Sequence, residues 1–171
     1  MVITSKAIYT FGADENANKV RYLPNNGKNW MVIEHIEIPG QFRIGCAVEI
    51  KSKGEIWLIG GNDDNGNRIL SFDLETHTFK DLPLKLITGR SRHICFVTKI
   101  GDSEVILVTG GNSEAKTPKR HTLLNSVEII NIADGSVTSS PLMTFRRNGH
   151  GIGTLNINNQ PRICVKRKKT Q

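Results

Sequence analysis

Short apolar runs alternate with turn-forming stretches along the chain. Three of the runs end in glycine, at residues 8–12, 56–60 and 106–110. Each run places apolar residues on both faces of a strand, a pattern typical of a strand buried between two sheets. Clusters of Gly, Asn and Asp between the runs favour turns. The pattern therefore predicts an all-β fold built from short strands.

The pattern recurs at a nearly fixed interval, which predicts a repeat protein. The runs end at Gly12, Gly60 and Gly110, in steps of 48 and 50 residues. A single sheet cannot cover both of its faces, so the repeat units are expected to pack face to face. The second unit predicts strands at 44–50, 55–60, 68–73 and 78–82, and the third at 93–99, 104–109, 125–132 and 136–140.

Several residues of these units resemble the kelch repeat. They are the pairs Gly60-Gly61 and Gly110-Gly111, the segments Arg90-Ser91-Arg92-His93 and Arg147-Asn148-Gly149-His150, the Val127-Glu128 pair, Phe72 to Thr76, and the closing aromatics Trp30 and Phe79. The resemblance implies a kelch-type β-propeller of four-stranded antiparallel blades around a channel. It also implies that Trp30 and Phe79 fill the core between blades.

The resemblance divides the chain into blades and a tail. Kelch blades are expected over residues 1–165, and a basic tail at 166–171. The blades are 2–35 (partial, without its first strand), 36–83, 84–141 and 142–165 (partial). Because propellers typically have ~4–8 blades, this arc is expected to be open or truncated. It is either a fragment of a longer propeller or an arc that a homo-oligomer completes.

The charge of the chain does not indicate a nucleic-acid partner. The net charge is +7, and five of these charges come from residues 156–171, outside most of the predicted sheets. A nucleic-acid-binding fold is expected to carry its excess charge on the fold itself. The run Lys166–Lys169 could be a localisation signal, but we favour a solvated tail. No apolar stretch predicts a membrane span or signal peptide, so no membrane partner is expected.

The cysteines point to a reducing compartment. Cys46, Cys95 and Cys164 are odd in number and widely spaced, which predicts neither a disulfide framework nor a zinc pair. Each lies in an apolar stretch and is expected to be a core residue. The chain also has no Asn-x-Ser/Thr sequon. Together these features favour a cytoplasmic location.

The resemblance implies a binding face at the mouth of the channel. Recurrent arginines begin the first strand of successive blades, and the loops after the glycine pairs open on the same side. Guanidinium groups there suit carboxylates, which predicts a protein partner with an acidic segment. The alternative is that each arginine caps carbonyl groups or pairs with an acid between blades. The partner-binding candidates are Arg43, Arg90, Arg147, Asn62, Asp64, Asn112 and Glu114.

No motif in the chain indicates catalysis. Gly-x-Ser-x-Gly, a phosphate loop and His-Glu-x-x-His are all missing from the sequence. His93 and His150 share one repeat position on different blades, so a structural role is expected rather than metal binding. We therefore expect a non-enzymatic interaction module with no catalytic residue, metal or cofactor. The resemblance implies a scaffold, a cytoskeletal binder or a ubiquitin-ligase substrate-recognition module; the alternatives are a kelch-like epimerase or oxidase, or a non-functional fragment.

Overall fold

The regular structure of the protein is β throughout its described part. The computed structural model describes residues 1–12, 18–40, 42, 45–61, 66–113, 122–157 and 160–166, and only the backbone for 153–157 and 160–166. Within these ranges no helix is long and apolar enough to span a membrane. The strands are β1 (Val2–Ile3), β2 (Ala7–Phe11), β3 (Val20–Pro24), β4 (Met31–Val32), β5 (Cys46–Ile50), β6 (Glu55–Ile59), β7 (Ile69–Asp73), β8 (Phe79–Asp81), β9 (Arg90–Ser91), β10 (Ile94–Ile100), β11 (Ser103–Thr109), β12 (Asn112–Ser113), β13 (Thr122–Leu123), β14 (Val127–Asn131), β15 (Val137–Ser140), β16 (Gly151–Ile157) and β17 (Gln160–Lys166).

The strands form three antiparallel four-stranded sheets. The first sheet has the order β1-β2-β3-β4, the second β5-β6-β7-β8 and the third β10-β11-β14-β15. A small sheet with the order β13-β12-β9, here called the loop sheet, joins connecting segments, and β16 and β17 form a hairpin. The predicted strands of the second and third units agree with the observed ones to within two residues at each end. The all-β prediction with four-stranded antiparallel sheets is confirmed.

The prediction that the first unit lacks its first strand is wrong. Val2 pairs with Tyr9 and Ile3 pairs with Ile8, so β1 completes a four-stranded sheet. A strand of two residues is too short to show the period-two alternation by which strands are recognised in a sequence. The first sheet therefore has the same strand order as the second.

Two hydrophobic cores join the three sheets. The first core lies between the first and second sheets, and the second core lies between the second and third. Strand β6 supplies both, because Ile56 and Leu58 enter the first core while Trp57 and Ile59 enter the second. Neighbouring residues of a strand point to opposite faces, which explains the continuous apolar run of β6. The prediction that this strand is buried is confirmed.

The two closing aromatics have different environments. Phe79 is partly buried against the first core, with its ring centroid 4.9 Å from that of Phe72. Trp30 is 47% exposed, so its predicted place in a core between units is wrong. The two aromatics occupy equivalent repeat positions, as the hydrogen bonds three residues after each of them show. Ile33 N donates to Val20 O in the first sheet, and Leu82 N donates to Ile69 O in the second. Phe79 faces the first sheet, whereas no described sheet covers the corresponding face around Trp30.

A disulfide links the second and third sheets, contrary to the sequence prediction. Cys46 of β5 is bonded to Cys95 of β10, with their Cα atoms 5.8 Å apart. The prediction failed because it treated the 49-residue separation as a barrier. Facing strands of stacked sheets bring distant residues into the range that a disulfide requires. The bond also removes the cysteine argument for a reducing compartment.

The glycine pairs make close backbone contacts between successive units. Gly61 N donates to Arg90 O at 2.9 Å, and Gly111 N donates to Arg147 O at 2.8 Å. Gly110 has φ 59°, and a Cβ atom there would lie 2.5 Å from Arg147 O and 2.9 Å from the His150 ring. Only glycine combines a positive φ with such a close approach of neighbouring backbone. The predicted role of the glycine pairs is confirmed.

Gly110→Ala should therefore destabilise the protein more than Gly101→Ala. Both glycines have φ 59°, but a Cβ atom on Gly101 would meet nothing within 4 Å. We expect Gly101→Ala to cost about 1–2 kcal/mol for the left-handed backbone, and Gly110→Ala to cost about 1–3 kcal/mol more for overpacking. The free energy of unfolding in urea measures both variants. Equal losses would show that the contact with the next unit contributes nothing.

Candidate binding face

One end of the sheets is formed by the glycine pairs, the loop sheet and two connecting segments, 84–93 and 141–150. We call this end the loop face. In the loop sheet, Asn112 pairs with Leu123 on one side and Ser91 on the other, and Ser113 pairs with Arg90. The residues after the glycine pair of the third sheet are therefore hydrogen-bonded to the segment that begins the same sheet. This arrangement agrees with the expectation that these two regions share one face.

Three of the seven predicted binding residues belong to the described part of the chain. Arg43, Asn62, Asp64 and Glu114 lie outside the described residues. Asn112 is buried, and its Oδ1 accepts a hydrogen bond from Asn148 Nδ2 at 2.8 Å. Arg147 is partly exposed, and its Nε donates to Phe145 O at 3.3 Å. Arg90 is fully buried.

The Arg90 side chain is used by the fold. Its guanidinium donates to Gly110 O at 3.0 Å and to the Ser126 hydroxyl at 3.0 Å, and it forms an ion pair with Glu128. Burial lowers the pKa of Arg90, and the charge of Glu128 offsets part of this effect. No part of the side chain is open to a partner. For Arg90 the structure supports the alternative of a structural role, in which the arginine caps carbonyls and pairs with an acid. These partners lie in its own unit, 84–141, and not in a neighbouring one.

Glu128 is the residue whose role the sequence reasoning missed. Its carboxylate accepts hydrogen bonds from Ile87 N at 2.8 Å and Thr88 N at 3.0 Å, in addition to the Arg90 ion pair. A buried carboxylate is stable only when it is paired and hydrogen-bonded, and these partners provide both. The signal was present in the sequence, where a single acid interrupts the apolar strand β14. Glu128 thereby fixes the backbone of the 84–93 segment.

The loop face carries exposed apolar side chains. Exposure is 67% for Phe145, 66% for Leu142 and 61% for Ile87. Hydrogen bonds hold their segments: Met143 N donates to Asn125 O at 2.8 Å and Arg147 N to Leu124 O at 3.0 Å. These large side chains are therefore presented on a hydrogen-bonded frame. Sequence reasoning missed them because it followed residues that repeat, and these residues do not.

The charged residues of the two connecting segments are all Lys or Arg. Segments 84–93 and 141–150 contain five Lys or Arg residues and no Asp or Glu. Arg92 and Arg146 are exposed, and Arg92 O accepts a hydrogen bond from Gly149 N at 3.0 Å, which joins the two segments. Glu128 pairs with Arg90, and the exposed Arg92 and Arg146 add positive charge to the two segments.

Two buried histidines lie beneath the loop face, next to the glycine pairs. His150 Nε2 lies 2.8 Å from the Thr109 hydroxyl, whereas neither ring nitrogen of His93 makes a well-formed hydrogen bond within the described residues. Burial, and then the positive charge of Arg90, lower the pKa of His93 to about 3, although backbone groups of Ile59 and Arg90 offset this slightly. Burial also lowers the pKa of His150. Both rings pack against the glycine pairs, as expected for structural residues.

A cleft of ≈ 610 Å³ lies at the opposite end of the first and second sheets. Its charged lining residues have both signs: Lys6, Lys51, Lys53, Glu49, Asp73 and Glu75. Asp73 is already used by its own turn, where Oδ1 accepts hydrogen bonds from Glu75 N and Thr76 N. No group of three His, Cys, Asp or Glu residues that could hold a metal ion occurs in the described ranges. The loop face is thus the stronger candidate for a binding site.

His93 should make the protein less stable below neutral pH. Its pKa is about 3 in the folded chain and ordinarily about 6.5, so between these values the unfolded chain binds one more proton. Stability is therefore lost as the pH falls below about 6.5, by about 1.4 kcal/mol per pH unit from this residue. Urea unfolding between pH 7.5 and 5 should show a shallower slope for His93→Gln than for the wild type.

The exposed His35 provides the control for this experiment. His35→Gln should keep the wild-type slope. If His93→Gln does not fold, NMR titration of the wild-type His93 ring answers the same question, since its signals should not titrate above pH 4. A His93 ring that titrates near pH 6.5 would contradict the burial described here.

Neither protein families nor curated proteins give an assignment for this face. The chain matches no protein-family model, and no curated protein matches it. The case for a function therefore depends on the side chains of the loop face.

Proposed function

We propose that the chain is part of a kelch-type β-propeller that binds a protein segment through its loop face, without catalysis. In this proposal the three sheets and the hairpin are successive blades. The proposal is supported by the equivalent contacts that recur between units, in which Gly61 and Gly111 donate to carbonyls of the following unit. Equivalent packing of successive sheets is what a repeat architecture requires.

The observation that carries the binding proposal is the combination of exposed apolar and cationic residues on the loop face. Ile87, Leu142 and Phe145 expose most of their side chains, and Arg92 and Arg146 are exposed beside them in the same two segments. Loops often carry binding residues, and exposed large apolar side chains on them are candidates for contact with a partner. The frame that holds these loops would allow binding with little loss of conformational entropy.

The charged and apolar side chains of the loop face indicate which type of protein segment it would bind. Guanidinium groups form charge-assisted hydrogen bonds with carboxylates, and the two segments contain no acid of their own. The exposed Phe and Leu side chains gain free energy when a partner covers them. We therefore infer that the partner is a protein segment in which acidic residues alternate with large apolar ones. The scaffold and substrate-recognition roles expected from the kelch resemblance both need a face of this kind.

A fluorescein-labelled peptide with the sequence Glu-Leu-Glu-Phe-Glu-Leu-Glu-Phe tests this function. Its fluorescence anisotropy should rise with added protein, and the affinity should fall with rising salt because surface charges are screened. Arg146→Glu and Phe145→Ala should each weaken binding by about tenfold, which corresponds to roughly 1.4 kcal/mol. The matched peptide with lysine in place of glutamate should not bind.

Two controls separate the loop face from general attraction to a basic protein. Lys99→Glu reverses an exposed charge at the far end of β10 and should leave the affinity unchanged. A variant with residues 166–169 replaced by serine removes the basic run and should also bind normally. The proposal fails if Lys99→Glu weakens binding as much as Arg146→Glu, or if the wild type does not distinguish the two peptides.

A further inference from the structure

Arg92 has a backbone conformation that is unfavourable for its residue type. Its φ is 52°, in the left-handed region, where side chains other than glycine are strained. The equivalent position of the next repeat is Gly149, which also has φ 52°. In these two units the position is left-handed, and glycine adopts that conformation at lower cost.

The backbone of Arg92 has a structural purpose that glycine would serve equally well. Arg92 O accepts a hydrogen bond from Gly149 N at 3.0 Å, and this bond joins the two connecting segments of the loop face. A carbonyl group does not depend on the side chain of its residue. The hydrogen bond therefore explains the positive φ but not the presence of arginine.

The Arg92 side chain has no visible role in the fold. It is exposed and makes no hydrogen bond or ion pair with any described residue. Arg90, two residues earlier, differs in both respects, because it is buried and paired with Glu128. Strained residues persist where the surrounding structure holds them in place, and they concentrate at binding sites.

His77 shows what a structural residue with the same backbone looks like. Its φ is 55°, and its repeat equivalent is Gly135, with φ 72°. Unlike Arg92, it has a contact that supports its retention: its ring stacks on Phe72 with centroids 5.8 Å apart. Arg92 bears the same kind of strain without a comparable contact.

We propose that Arg92 is a binding residue of the loop face, which holds a carboxylate of the acidic partner segment and is retained there at the expense of stability. This inference rests on the proposed function. The hydrogen bond from Gly149 N to Arg92 O joins the segment that carries Arg92 to the segment that carries the exposed Arg146. Two guanidinium groups on one frame could hold successive carboxylates of an extended segment.

The substitution Arg92→Gly separates binding from folding. It removes the guanidinium and relieves the strained φ, so the melting temperature should stay constant or rise by about 2 °C. The affinity for the labelled Glu-Leu-Glu-Phe-Glu-Leu-Glu-Phe peptide should fall by about tenfold. Arg92→Lys keeps the charge but loses the planar fork, so its affinity should lie between those of the wild type and Arg92→Gly. His77→Gly, the matched control, should bind the peptide as the wild type does.

The outcomes distinguish this inference from the proposed function. If the wild type does not bind the peptide, the proposed function and this inference both fail. If the wild type binds and Arg146→Glu weakens binding while Arg92→Gly does not, only this inference is overturned. If Arg92→Gly lowers the melting temperature by several degrees, Arg92 supports the fold and the inference is overturned as well.

Discussion

The fit between the glycine pair of one sheet and the segment that begins the next is the interaction on which the rest of the structure depends. Gly61 and Gly111 each donate a backbone hydrogen bond to an arginine carbonyl of the following unit, and Gly60 and Gly110 lie against a histidine ring. These contacts set the distance between neighbouring sheets at the loop face. The hydrophobic cores then fill the remaining space between the sheets. An added Cβ atom at Gly60, Gly110 or Gly111 would meet backbone, which cannot move as a flexible side chain does.

The arginines of the segment that packs against a glycine pair are of two kinds, buried and exposed. Arg90 is turned into the fold, where Glu128, Ser126 and Gly110 accept its hydrogen bonds. Arg92 lies two residues further on and faces solvent. A buried ion pair is expensive to separate, so it holds the segment firmly enough to support strain at Arg92. The loop face therefore combines a buried, ion-paired arginine with an exposed one.

Much of the fold could be predicted from the sequence, because the burial of each strand leaves a pattern in its own residues. Strand β6 has a core on each side, so every residue from Ile56 to Ile59 is apolar and its position could be inferred. The disulfide was harder to predict, because Cys46 and Cys95 meet only once two sheets are stacked. Trp30 was misplaced because a residue type does not reveal whether another sheet covers its face.

The sequence could predict that the arginine segments and the loops after the glycine pairs share one end of the sheets, but it could not predict the environment of each residue there. Repeat symmetry brought Arg90 and Asn112 to one end of the sheets, as the structure also does. Symmetry favours the residues that recur, and recurring residues in a repeat protein mainly serve the packing of its units. Exposed side chains such as Arg92 and Phe145 depart from the repeat. The burial of Arg90 depends on Glu128, 38 residues away in the sequence, a contact that only the folded chain reveals.

Native-state hydrogen exchange at Gly61 and Gly111 tests most directly whether the glycine pairs hold neighbouring sheets together. If the glycine pairs hold the sheets together, these two amides should exchange only when the whole protein unfolds. Their opening free energy should then equal that of the Ile106 amide in the buried strand β11 and should fall with urea at the same slope. Exchange of Gly61 and Gly111 through small local openings, while Ile106 stays protected, would contradict the account.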